Sequence, residues 1–442
     1  MLAGAGCLMN RRVSSWAWQG GILGILVILL PSAALGWSNH PLCTWQAVAV
    51  MPGMAGRVVT AETLGSFLDD MSDRLPAVLE GEEMWARAHL PFYAPRPDDL
   101  RFGGASAVGE GVASLRAGFL HAIRVNEGMT LDLYVQRPPG VGVPAERVLP
   151  WSSASVLKSL EDTEASSLER VEEGDVLRVA DVVATATNEP DLGLDIGLWA
   201  ESGSAQGGRY GFGAQPFGNP HLSYGTQAPF HMGFYHESGL AYRAAGYLQR
   251  TYPEARIHLF MTLSRFAFAQ GHPYWGWRFA GWAIHYVQDL GQPYHARALP
   301  GVGTLTMVGI GALGMLGIHG PQVAAVTRVT NRHVVLETYQ YRLMSAAYRA
   351  HDMDDPLLAA LRDTSDDGSL ERLGPSSVRN VVSAQSAAVA DELDAQLVRT
   401  FPAADVVAEQ AAMTRLVAER MRQVGRDTRA VIRVLDPEEM GR

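Results

Sequence analysis

Apolar residues recur at helical spacing along most of this 442-residue chain, and glycine and proline take over where they do not. Between residues 60 and 90, Leu64, Phe67, Leu68 and Met71 fall on one helical face, and Leu75, Val78 and Leu79 continue the series. The same periodicity predicts helices over 108–124, 166–187, 237–252, 255–270, 274–290, 331–350, 377–400 and 404–434. Thr130 to Gln136 alternates as a short strand does, and Arg137-Pro-Pro-Gly-Val-Gly-Val-Pro144 reads as a loop. Residues 203–229, rich in Gly, Pro, Gln and Ser, read as an ordered loop or surface lid. There is no internal repeat and no long charge block. The predicted class is mostly α, multi-helical, with Gly/Pro-rich loops.

Two apolar stretches stand outside this pattern. The first follows Arg11 and Arg12: Gly21 to Ala34 is a Pro-interrupted run too short for a good membrane span, and Ala34-Leu35-Gly36 is a small-residue cleavage site. It predicts a signal peptide over residues 1–36, cut before Trp37, and hence a secreted or periplasmic protein; the alternative is an uncleaved anchor. Residues 37–442 would then form a single helical domain. The second stretch lies between Arg297 and Arg328, where thirty residues carry no formal charge apart from His319. Within this apolar loop at about 298–328, Val302 to Ile318 holds five glycines, too many for a rigid transmembrane helix. It reads either as a buried hairpin beneath a site or as an apolar flap making peripheral contact with a membrane.

Charge and cysteine narrow the partners. The chain has 36 basic and 46 acidic residues, net −10. Without residues 1–36 it keeps 34 basic residues against the same 46 acidic ones, or about −12. Binding of a nucleic-acid backbone usually rests on Lys/Arg clusters, which this balance does not supply in bulk. Cys7 falls in the leading segment, so Cys43 would be alone after cleavage and no internal disulfide could form. Packing and bound metal must then supply the stability.

The candidate chemistry is concentrated in Trp282-Ala-Ile-His285-Tyr286-Val-Gln-Asp289-Leu-Gly-Gln-Pro293-Tyr-His295-Ala. His285 and Asp289 are four apart, so a helix points both from one face, and Pro293 ends that helix and swings His295 towards the same spot. His333-Val-Val-Leu-Glu337 repeats the four-residue step. Imidazole nitrogen and carboxylate oxygen in these spacings suit Zn²⁺. Three His and two carboxylates in two tight groups point to a polynuclear metal site. Trp275, Phe279, Trp282 and Tyr286 read as core, and His258, His272 and His351 as packed or surface histidines.

These motifs resemble those of the bacterial zinc-dependent phospholipases C and the fungal-type single-strand-specific zinc nucleases. That superfamily carries H-x₃-D-x₅-H followed by H-x₃-E or H-x₃-D, and His285, Asp289, His295, His333 and Glu337 match in order and spacing. Its mature proteins begin with a Trp whose amine and carbonyl oxygen chelate a zinc, which a cut before Trp37 would reproduce. The resemblance implies an all-α fold and three zinc ions. It implies an early His, for which His40 is the nearest candidate, with His89 and His121 as substitutes. It implies an Asp in the segment Asn188-Glu-Pro-Asp191-Leu-Gly-Leu-Asp195, where the Pro-Asp dipeptide favours Asp191 over Asp195. It implies a His in His231-Met-Gly-Phe-Tyr-His236, where His231 is preferred and His236 competes. By that resemblance Asp191, His231, His285 and Asp289 would hold one zinc, and Trp37 and His40 a second, bridged by Asp289. His295, His333 and Glu337 would hold the third. The match covers about 185–350 and the N-terminus; residues 42–185 have no counterpart and are expected to be an insertion or added subdomain.

Such a site suits phosphodiester hydrolysis by metal-activated water, with Asp191 implied as general base and Asp289 as the bridging carboxylate. The expected substrate is a phospholipid, cleaved to diacylglycerol and a phosphorylated head group. Glu337, the reading of the His285 and His295 motifs and the apolar stretch favour it. The alternatives are a single-strand nuclease or 3′-nucleotidase on the same metals, and a non-catalytic zinc-stabilised surface protein. Arg297 and Arg332 adjoin His295 and His333; each is either an exposed solvated arginine or a phosphate contact.

Overall fold

Pro273–Leu290 is a helix with every residue after Pro273 buried, and the rest of the molecule is arranged round it. A helix apolar on all faces has no solvent side and must be enclosed. The computed structural model describes residues 40–103, 112–157, 167–219, 223–370, 373–401 and 407–440. In chain order, the elements are α1 (His40–Ala49), β1 (Val58–Thr60), α2 (Leu64–Met71), α3 (Leu75–His89) and α4 (Val112–Ala122). There follow β2 (Tyr134–Gln136), β3 (Leu168–Arg170), β4 (Val176–Arg178), α5 (Val179–Ala186), α6 (Ala228–His231) and α7 (Gly239–Ala244). Further along are α8 (Pro253–Ala269), α9 (Pro273–Leu290), α10 (Pro293–Ala296), α11 (Thr304–Met315), α12 (Gly320–Ala350), α13 (Pro356–Arg362), α14 (Ala384–Thr400) and α15 (Val407–Leu435), with short helical turns between and after them. The fold is mostly α, and the described strands form two antiparallel pairs, β1 with β4 and β2 with β3.

Helix α9 packs against α8, α5 and α15, and α1 lies across α5 and α15. One apolar cluster joins Val48, Phe67, Phe119 and Val135 to Trp275, Phe279 and Trp282 of α9. Phe67 stacks on Trp275 with ring centroids 5.7 Å apart. Described residues between 42 and 185 therefore share the central core with α9. A second cluster binds α1 to the C-terminal half of α12, α13, α14 and α15 through Leu42, Leu336, Met344, Leu361 and Met421. Buried Cys43 is a free thiol.

Three local expectations are corrected. Residues 166–187 are not one helix: among the described residues, two strands precede α5, because Gly174 turns the chain at φ +92° and β1 and β2 supply partners for both strands. The segment 237–252 breaks at Ala245 into α7 and a 3₁₀ turn. The apolar stretch 298–328 is no loop. It holds α11 and the start of α12, a helical hairpin with Leu305, Met315, Leu316, Ile318 and Val323 exposed, so it is not buried either. Glycine lowers helix propensity by about 1 kcal/mol per residue, which a proline-free apolar run tolerates. No described helix is long and apolar enough to cross a membrane.

Candidate metal centre

Eight of the nine ligands expected from the sequence converge in the interior: His40, Asp191, His231, His285, Asp289, His295, His333 and Glu337. They arrive from six separate parts of the chain. His40 opens α1; Asp191 stands on a π turn at Pro190–Leu194; His231 ends α6; His285 and Asp289 share α9; His295 is on α10; His333 and Glu337 share α12. The π turn depends on Gly193, whose φ is +130° and whose added Cβ would meet Val156 at 2.2 Å. Trp37 and the leading segment lie outside the described residues.

Three groups form, each with one ligating atom per residue within 4.8 Å of the others: His40, His285 and Asp289; Asp191, His231 and His285; and His295, His333 and Glu337. Asp289 is the hub. Its Oδ2 lies 2.9 Å from His231 Nδ1 and 3.1 Å from His285 Nε2, while Oδ1 lies 3.1 Å from His295 Nδ1 and 3.6 Å from His40 Nε2. One carboxylate facing different imidazoles with its two oxygens is the arrangement a bridging ligand requires.

The orientation of each imidazole is set by an acceptor behind it. His40 Nδ1 donates to Gln288 Oε1 at 2.8 Å, and Gln288 is itself fixed because its amide donates to Thr44 and Thr428. His285 Nδ1 donates 2.8 Å to the carbonyl oxygen of Thr187, which the end of α5 leaves without a helical partner. His295 Nδ1 faces the carbonyl oxygen of His231 at 3.1 Å. Carbonyl oxygens only accept, so the proton of each neutral ring sits on Nδ1 and the lone pair of Nε2 faces inward. There His285 Nε2 stands 3.0 Å from His231 Nδ1, and His295 Nε2 stands 3.1 Å from His333 Nε2.

This donor set fits divalent metal ions. Buried lone pairs pointing at one another and at carboxylates repel unless a cation lies between them. His40 Nε2, Asp191 Oδ2, both oxygens of Asp289 and Glu337 Oε2 are buried without a hydrogen-bond partner. Burial pushes Asp191 up to about 6 against the pull of His285 and His231. Burial also raises Asp289, but His285, His295 and His231 outweigh it and hold that carboxyl well below its usual range. Burial would lower His231, yet Asp289, Asp195 and Asp191 lift it to about 10. His40 is driven well below its usual value, by burial first and by His285 next.

The competing candidates have other partners. Asp195 stands behind His231, with Oδ2 3.3 Å from His231 Nε2, and accepts from Arg256 at 2.6 Å and from the Tyr286 hydroxyl at 2.7 Å. It orients His231 and is not grouped with the metal-facing atoms. His236 faces the carbonyl oxygen of Arg379, His89 that of Trp85, and His121 pairs with Glu127. Arg297 and Arg332 are neither exposed nor free: they pair with Glu237 and Asp394. His258 and His272 pair with Glu82 and Glu62.

Sequence reasoning missed the supporting glutamines. Gln292 donates to Glu337 Oε1 at 3.0 Å, as Gln288 serves His40. Both flank Asp289 within the motif, and an amide predicted to be buried needs a polar partner. No protein-family model, curated protein or solved structure matches this chain in comparisons with known proteins.

Proposed function

We propose that this chain is an exported zinc-dependent phosphodiester hydrolase of phospholipase C type, acting on phospholipid at a trinuclear zinc site. The observation that carries this reading is the burial together of five histidines and three carboxylates in three groups, with inward lone pairs and unpartnered oxygens. All-nitrogen and oxygen donor sets of this kind suit zinc, and a thiolate is not needed. Zinc bound there supplies Lewis acidity to phosphoryl oxygens and a water whose pKa falls towards about 7.

The chain's own residues do the rest. Asp289, with its two oxygens turned to different imidazoles, would be shared by two metal ions. Asp191 keeps one oxygen free while Gln227 donates to the other at 3.3 Å, which is compatible with the role of general base that the resemblance implies for it. His295, His333 and Glu337 would hold the third metal ion, which would stabilise charge on a leaving oxygen. A phospholipid is favoured over nucleic acid by the net charge of −10 and by the uncharged exposed hairpin between His295 and His333.

The test is parallel turnover of a phosphocholine-ester chromogen and single-stranded DNA by zinc-loaded protein. Ester release is expected, abolished in Asp289→Asn with loss of more than one zinc per chain by elemental analysis. Release from DNA alone would identify a nuclease, and silence on both with full metal would identify a non-catalytic zinc protein.

A further inference from the structure

We propose that the hairpin of α11 and the first turns of α12, residues 302–326, enters the surface of a lipid bilayer and brings the metal centre to its substrate. The inference rests on the phospholipid reading for its purpose, but not for its measurement.

In a chain with 19% charged residues, a thirty-residue stretch would carry about six charges; residues 298–327 carry none. That stretch is not hidden. Leu305 is 82% exposed, Leu316 76% and Met315 72%, and Ile318 and Val323 are more than half exposed. Helix α11 turns Met307 inward, and Gly311 lies against Ala244 of α7. Its outward half is Leu305, Gly309, Leu313 and Leu316, where a surface helix normally carries its polar residues. The apolar surface continues over the tip at Met315-Leu316-Gly317-Ile318 and on to Val323 and Val326 of α12.

The occupant follows from form and charge. The apolar surface is the turn between two helices, and its exposed polar side chains, Thr306, His319 and Thr327, include no carboxylate, ammonium or guanidinium group. A fluid apolar medium accepts such a tip without a matching groove. Exposed Arg243 on α7, which packs on α11, and exposed Arg328 on α12 flank the hairpin, with exposed Asp391 accepting from the Gly301 N–H at the start of α11. Cations flanking an apolar element complement phosphate head groups. Helix α11 is roughly 18 Å long, short of the roughly 30 Å hydrocarbon core, so it dips in and does not span. About 15 Å of α12 separates Val323 from His333, so an inserted tip holds the third ligand group close above the head groups.

The experiment compares the zinc-loaded parent with Leu305→Asp/Leu316→Asp, positions that touch no ligand of the site. Co-sedimentation with phosphatidylcholine vesicles and turnover of a water-soluble phosphocholine ester are measured together, with zinc content as the check on folding. The expected result is a vesicle partition at least tenfold lower in the variant, with soluble-ester turnover and zinc unchanged. A parent that does not sediment with vesicles, or a variant that sediments equally, overturns the proposal. So does a parent that self-associates through this hairpin, seen as a dimer that the variant abolishes. If vesicles bind but no ester is cleaved, the hydrolase reading fails while the surface role stands; the reverse result fails the surface role alone.

Discussion

At the scale of single residues, the centre separates side chains that face the metal positions from those that aim them. Asp195 belongs to the second kind. It sits four residues from Asp191, has the same side chain and is equally buried, and only the Pro-Asp dipeptide distinguishes the two in the sequence. The structure separates them, because Arg256 and Tyr286 occupy the oxygens of Asp195 whereas Asp191 keeps one free. Asp195→Asn removes the charge facing His231 Nε2 and should lower zinc affinity about 10- to 100-fold, as outer-shell partners of metal-bound histidines do. Competition against a chromophoric chelator checks this. An affinity equal to the parent's would mean that Asp195 serves only to neutralise Arg256. His285 with Asp289 and His333 with Glu337 were legible because a four-residue step on a helix is a local property; His40, Asp191 and His231 were reached only through the family resemblance. Thr187, Gln288 and Gln292 were not, because their importance lies in which distant atom they meet.

At the scale of elements, the helices predicted from periodicity over 255–270 and 274–290 correspond to α8 and α9 within one or two residues. Their apolar spacing is dense and bounded by Pro253 and Pro273. The segment 166–187 failed for the opposite reason. Its residues suit a helix locally, but strands β1 and β2, over thirty residues away or more, recruit its first half into antiparallel pairs. Helix α9 also shows a constraint no periodicity reveals. A Cβ added at Gly281 would lie 2.4 Å from Ala186 Cβ and 2.8 Å from the carbonyl oxygen of Val183, so α9 and α5 meet through this glycine. In Gly281→Ala, overpacking of about 1–3 kcal/mol should outweigh the gain in helix propensity of about 1 kcal/mol. The expected outcome is a lower urea midpoint. Because α5 presents the Thr187 carbonyl that aims His285, zinc affinity should fall as well. An alanine variant as stable as the parent would show that the two helices can part without cost.

At the scale of the whole molecule, the centre joins parts of the chain that are far apart in sequence. His40 and Glu337 are nearly three hundred residues apart, yet His40 joins the group of His285 and Asp289 and Glu337 that of His295 and His333, two groups that meet at Asp289, and α1, the 190–194 turn, α6, α9, α10 and α12 all end or pass there. The mostly helical class was legible from pattern alone. The packing of Val48, Phe67, Phe119 and Val135 against α9 was not, since contacts such as Phe67 with Trp275 leave no signature in spacing. Without cations, the interior holds three carboxylates and facing nitrogen lone pairs, relieved only by protons such as the one that His231 retains to about 10. Metal bound to the folded state and not to the unfolded chain stabilises by mass action, by about 4 kcal/mol for a single site at a thousand times its dissociation constant. Chelation should therefore lower the melting temperature markedly, and added zinc should restore it. Hydrogen exchange should quicken first at the N-terminus of α1 and around His295 and His333, where single elements contribute ligands at the edge of the core. The interior of α9 should stay protected, because Trp275, Phe279 and Trp282 are held by packing that needs no ion. A melting temperature indifferent to chelator, with metal removal verified, would mean that the cluster is held by its protons and surrounding hydrogen bonds alone.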